Sequence, residues 1–205
     1  MIIYLIIIVT ALISILSFND RSLFDKLRFN AFDIKHNKQG WRFFTYGFVH
    51  ADWIHLFVNM YVLYSFGNIV MTIFGYHFGY QATIYFLMLY VGGILFSTLF
   101  DFGKHKDNAF YSAVGASGAV SAVVFTSILI YPQGSIYFFF IPFPIPSVVF
   151  GALYLVYSAY MSKKGKSNIG HSAHFWGAIF GIVLTIALKP AFATKFIEHI
   201  LSYIG

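Results

Sequence analysis

Six runs of apolar residues divide this chain, at roughly 2–18, 53–74, 81–100, 113–131, 146–161 and 170–188, and none has Lys, Arg, Asp or Glu in its interior. A helix that crosses a bilayer needs about 20 mostly apolar residues. Inside the bilayer each backbone N–H and C=O must be satisfied by the segment itself. The pattern therefore predicts an all-α fold: a polytopic bundle of six transmembrane helices in a single domain over residues 1–205. Composition agrees, with 59% hydrophobic and only 10% charged residues, where a soluble domain carries roughly a quarter charged. The first run has no basic segment before it and no small-residue cleavage site, so it is expected to be a helix of the bundle rather than a leader.

The chain contains no cysteine, which removes disulfides and thiolate chemistry. The net charge of +6 sits in loops beside the spans, which suits lipid headgroups better than nucleic acid. Loop 19–52 mixes charges with Phe24, Phe29, Phe32, Trp41, Phe43, Phe44, Tyr46 and Phe48. Aromatics at that density favour the membrane interface, so this first loop is predicted to lie there. Residues 75–80 read as a tight turn between spans two and three. Pro132, Pro142, Pro144 and Pro146 make 131–147 an interfacial link. Phe192, Phe196, Ile200 and Ile204, with Ile197 and Leu201 beside them, mark the tail 191–205 as an amphipathic surface helix.

With six spans, the even-numbered ones all start on the side of loops one, three and five. Span two starts with His55 and Asn59, which share a helical face; span four starts with Ser117; span six starts with His171 and His174. Ionisable side chains within a membrane are costly and point to function. Each alone also has a packing role, as an interhelical or i−4 hydrogen bond. Their common depth and complementary chemistry set them apart. A hydroxyl must come within about 2.6–3.2 Å of a base to pass its proton. Small residues on span four (Gly115, Gly118, Ala119, Ala122) and span six (Ala173, Gly177, Gly181) allow the helices that close approach.

The seven acids, Asp20, Asp25, Asp33, Asp52, Asp101, Asp107 and Glu198, all fall outside these spans. That excludes an intramembrane aspartyl pair, and no H-E-x-x-H zinc motif is present. A serine hydrolase here has no triad acid. It must be a dyad in which Ser117 attacks and His174 takes and returns the proton. The Ser117 N–H, His55 and Asn59 would then meet the oxyanion, helped by the start of span four.

Four motifs on this frame resemble those of the rhomboid intramembrane serine proteases: Trp41-Arg42; His50, His55 and Asn59; Gly115-Ala116-Ser117-Gly118; and Ala173-His174-Phe175-Trp176-Gly177. They follow in the family's order and cover most of the chain. The resemblance implies a Ser117–His174 dyad, an oxyanion site of Ser117, His55 and Asn59, and the motif residues His50, Gly115, Ala116, Gly118, Ala173 and Gly177 as support. It implies neither metal nor cofactor. The implied substrates are transmembrane segments of other proteins in the lipid bilayer. It further implies a water-filled cavity, a lateral gate at span five and a flexible cap at 162–168. Two positions depart from the pattern: Ser121 stands where many relatives have an aromatic stacked on the histidine, and Met71 where they often have glutamate.

Two other readings stay open at this point. One is a rhomboid-like protein that binds client helices without cutting them. The other is a metal or haem site built from His50, His55, His171 and His174. The resemblance predicts a multi-pass protein of a bacterial cytoplasmic membrane with its catalytic mouth facing outward. Charge counting points the other way, since eleven of 13 Lys and Arg lie on the side of loops one, three and five.

Overall fold

A computed structural model describes residues 1–137, 143–164 and 170–202. It is a helical bundle with a helix at each of the six expected places. These are α1 (Ile2–Asn19), α5 (Trp53–Phe78), α6 (Ala82–His105), α7 (Ser117–Ile130), α8 (Ser147–Lys164) and α9 (His171–Leu188). By length and composition Ile2–Asn19, Trp53–His105 and His171–Leu188 can cross a membrane, the middle stretch holding both α5 and α6. The helix ends differ from expectation for local reasons. Helix α5 runs on to the turn at Gly79, whose φ of +56° suits glycine. Helix α6 continues past position 100 and takes in Asp101, which is buried.

The first loop is folded rather than open. It contains α2 (Arg21–Leu27), α3 (Ala31–His36) and α4 (Arg42–Thr45), followed by a 3-10 turn at Tyr46–Phe48. Asp20 and Asn30 cap α2 and α3, accepting hydrogen bonds from the Leu23 and Asp33 amides. Arg42 is the centre of this segment. Its buried guanidinium donates to the Asp25 and Arg28 carbonyls at 2.7 and 2.8 Å and to Gln39 Oε1 at 2.6 Å, with Asp33 3.4 Å away. Strand β1 (Phe29–Asn30) pairs antiparallel with β2 (Ser112–Ala113), joining loop one to loop three. Tyr46 fixes the loop to α6, its hydroxyl donating to the Ile94 carbonyl at 2.6 Å.

The segment expected as a link contains a short pairing of β3 (Ser135–Ile136) with β4 (Ile145–Pro146). Pro142 lies outside the described residues. So does most of the expected cap, 165–168, while 162–164 end α8. The tail forms α10 (Ala191–Leu201), which buries Phe192 and leaves Ile197 and Leu201 exposed. Ile204 is outside the described residues.

Helix α7 is the centre of the bundle. Every residue from Gly118 to Leu129 is buried, against α5, α6 and α9. A helix enclosed on all sides has little room for bulk where its neighbours come closest, and the small residues of its first two turns follow from that. The closest packing is with α9. A Cβ at Gly177 would run into the Gly118 carbonyl, and one at Gly181 into that of Ala122. One turn further along, Thr126 and Thr185 join hydroxyls at 2.8 Å. The register therefore repeats every four residues: 118 with 177, 122 with 181, 126 with 185. On the α6 side, a Cβ at Gly93 would lie 2.9 Å from the Ala119 Cα.

Gly181→Ala should destabilise the protein by about 1–3 kcal/mol, because neither backbone can yield. Gly103→Ala, where a Cβ meets nothing within 4 Å, should instead be neutral or add up to about 1 kcal/mol through helix propensity. Thermal unfolding in detergent micelles compares the two.

Candidate active site

The segment before Ser117 is held by loop one. Gly115 donates its N–H to the Tyr46 carbonyl at 3.0 Å, and the next amide, Ala116 N–H, donates to His50 Nε2 at 3.3 Å. Gly115 has φ +103°, and a Cβ there would lie 2.5 Å from the His55 ring, so both conformation and space require glycine. Helix α7 then starts at Ser117 with no side-chain cap, since Ala116 occupies the N-cap. Its first N–H groups are left for another acceptor. The helix has 14 residues and spans roughly 21 Å at 1.5 Å each, short of the ~30 Å hydrocarbon core. Gly115 and Ala116 are buried, whereas Tyr131 at the far end is 41% exposed. The Ser117 end is thus the one enclosed by protein. Irregular backbone within a membrane is tolerated only there or beside water.

The hydrogen bonds fix the His50 tautomer. Ser14 of α1 donates its hydroxyl hydrogen to the Phe48 carbonyl at 2.7 Å, so toward His50 Nδ1, 2.9 Å away, it can only accept. His50 therefore carries its hydrogen on Nδ1 and accepts from Ala116 on Nε2. Burial, reinforced by neighbouring His55 and opposed by Asp52, holds its pKa down at about 3.

Asp52 caps α5 by accepting the His55 amide at 2.8 Å. His55 Nδ1 accepts from Ala51 N–H at 3.4 Å, which leaves the hydrogen on Nε2, beside Gly115. Asn59 is buried and gives one amide hydrogen to the His55 carbonyl at 2.8 Å, keeping the second. On α9, Ala173 and Gly177 abut Gly118, the Ala173 carbonyl lying 3.2 Å from a Cβ position at Gly118. Ser117 and His174 flank this contact, each half-buried. Among the described residues neither side chain makes a hydrogen bond, and no carboxylate is bonded to His174. The His174 ring instead stacks on Tyr154 of α8, with centroids 6.0 Å apart and planes at 25°.

The predicted residues divide into two histidine pairs. His50 and His55 have ring centroids 4.9 Å apart, and His171 meets His174 edge-on at 6.0 Å. Among the described residues no three metal-ligating groups converge on one point. His171 is buried, edge-on to Tyr157 at 5.3 Å.

Residues 37–191 match the rhomboid domain. The chain belongs to the rhomboid family. It is 31% identical over 150 residues to "RHOMBOID-like protein 12, mitochondrial" of Arabidopsis thaliana, covering 65% of this chain and 42% of that one. It is 28% identical over 138 residues to "Presenilin-associated rhomboid-like protein, mitochondrial" of Homo sapiens, covering 66% of this chain and 34% of that one. The aligned part is thus less than half the length of either relative. Family and apolar helices together make this an integral membrane protein. The bacterial cytoplasmic membrane expected above finds no support in these relatives, both named as mitochondrial.

Sequence reasoning missed two neighbours of the candidate site, Ser14 against His50 and Tyr154 against His174. Ser14 gives no local sign beyond being polar in an apolar span. Tyr154 is one tyrosine among 15.

A histidine kept neutral by the fold stabilises it fully above pH 6.5. That stability is lost as pH falls from 6.5 toward about 3. The slope is about 1.4 kcal/mol per pH unit for one such group. His50→Asn, which keeps a donor toward Ser14 but does not titrate, should show a flatter fall in melting temperature across that window than the wild type.

Proposed function

We propose that this rhomboid-family protein is a serine endopeptidase that cuts transmembrane segments of other membrane proteins, with Ser117 as nucleophile and His174 as base. The observation that supports it most is the α7–α9 contact. Backbone meets backbone at Gly118, Ala173 and Gly177, and a hydroxyl and an imidazole stand at the next residues along.

Ser117 Oγ attacks the scissile carbonyl carbon as His174 removes the hydroxyl proton. The tetrahedral oxyanion is met by the Ser117 N–H, the second Asn59 amide hydrogen and His55 Nε2–H. The uncapped start of α7 adds a favourable dipole. When the intermediate collapses, His174 passes its proton to the departing amine. Water then repeats the sequence on the acyl-enzyme. The substrate must present extended backbone. That favours single spans with small or helix-breaking residues near the membrane edge, whose helix unwinds at low cost.

A client-binding protein without cutting activity has one observation on its side, the missing Ser117–His174 hydrogen bond. Catalytic hydrogen bonds often tighten only with substrate present, so this does not weigh against the dyad. In proteoliposomes with a single-span substrate, Ser117→Ala should abolish cleavage and leave the melting temperature unchanged. Asn59→Ala should lower kcat about 10²–10³-fold. A wild type that binds the substrate but neither cleaves it nor reacts with a fluorophosphonate at Ser117 is a client binder.

A further inference from the structure

A histidine base with no carboxylate behind it needs something else to hold its ring in the plane that reaches the nucleophile. In a serine triad the acid does this by hydrogen-bonding the imidazole. The polar bonds of His174 among the described residues end at its backbone, whose N–H donates to the Gly170 carbonyl at 3.0 Å. The broad face of its ring meets Tyr154, and the 6.0 Å, 25° geometry lies in the favoured offset-stacked range.

Tyr154 is itself held on two sides. Its hydroxyl lies 2.9 Å from Ser121 Oγ, a buried group on α7 one turn beyond Ser117. Its ring packs on Phe125 and Phe150, each with centroids 5.7 Å away. Helix α8 comes near enough for this because Gly151, one turn earlier, sits against α7, where a Cβ would lie 3.0 Å from Ile128 Cδ1. The aromatic contact is repeated on the adjacent turn, where Tyr157 meets His171 edge-on. Two tyrosines three residues apart on α8 thus face two histidines three residues apart on α9.

We propose that Tyr154 is a positioning residue for His174, and that Ser121 locks the Tyr154 phenol. The imidazole is aimed by a chain of contacts through three helices: the Ser121 hydroxyl on α7, the Tyr154 ring on α8, the His174 ring on α9. A serine at 121 is then a functional fit, because a larger side chain would take the space of the phenol. The base is also tied to the seat of α8, whose neighbouring residues Leu153 and Val156 point outward, 65% and 70% exposed.

This inference rests on the dyad reading, and steady-state cleavage of a single-span substrate in proteoliposomes separates the two. Tyr154→Leu, which removes the ring, should lower kcat about tenfold or more while KM stays within twofold, and should slow fluorophosphonate labelling of Ser117 in parallel. Tyr154→Phe and Ser121→Ala remove only the lock. Each should cost a similar few-fold in kcat, and the double variant should be no slower than either alone. Leu153→Ala, on the outer side of α8, should match the wild type. An active wild type whose Tyr154→Leu keeps kcat within twofold overturns the positioning role. Losses from Ser121→Ala and Tyr154→Phe that multiply in the double variant overturn the lock, and this pair keeps the test open even where Tyr154→Leu fails to fold. A wild type inert to both substrate and fluorophosphonate would instead overturn the dyad, and this inference with it.

Discussion

The arrangement depends on the contact of two backbones, α7 and α9, with no side chain between them at two successive turns. Lipid tails are as apolar as leucine, so no hydrophobic force draws these helices together within a membrane; close van der Waals packing and interhelical hydrogen bonds must do it. The Gly118 and Ala122 carbonyls lie where Gly177 and Gly181 would carry side chains, and the Thr126–Thr185 bond continues the register. Helix α6 closes the other flank through Gly93 and through Ser97, which fills the space beside Gly118. The result is a central helix that cannot slide or tilt without collision. Ser117 stands at one end of it.

The same rigidity reaches the segment before Ser117 through polar contacts. Arg42 gathers carbonyls from residues 25 and 28, strand β1 pairs with β2, and Tyr46 accepts the Gly115 amide. His50 links α1 to the Ala116 amide with both ring nitrogens used. Arg42 therefore acts at a distance from Ser117. Arg42 folds the loop whose carbonyls and imidazole hold the backbone before Ser117 in the conformation that Gly115 permits.

Much of this was legible in the sequence because bilayer rules are strict. Charge-free runs located six helices, and parity put Ser117, His174, His55 and Asn59 on one side. The small residues at 118, 122, 177 and 181 marked the close approach. What the sequence hid was of a different kind. The enclosure of α7 is a property of its neighbours, and its own composition reads equally well as a two-helix stripe. The first loop shows no hydrophobic period because its short helices are fixed by caps and by Arg42. Asp101 reads as a loop acid, yet α6 carries it inside, beside Tyr111, whose pKa burial and then that carboxylate raise. Tyr154 lies in a segment rich in aromatics, where nothing local separates a ring that stacks on an imidazole from one that meets lipid.

The structure also bears on the excess of basic residues on the side of the candidate site. Counting them as signals for a cytoplasmic face explains their excess by orientation alone. Several also have a structural role. Arg42 is buried and spent on backbone carbonyls, Arg28 pairs with Asp25 and reaches Ser112, Arg21 pairs with Asp25, and Lys35 pairs with Asp107 across loops one and three. Exposed pairs such as Arg21–Asp25 contribute little to stability individually, but the loop-to-loop contacts join loop one to the segment that leads into Ser117. A cation in such a role is retained for the fold whichever way the protein faces. These residues therefore weaken the charge-based argument for a cytoplasmic mouth and explain why loop one is at once basic, aromatic and ordered.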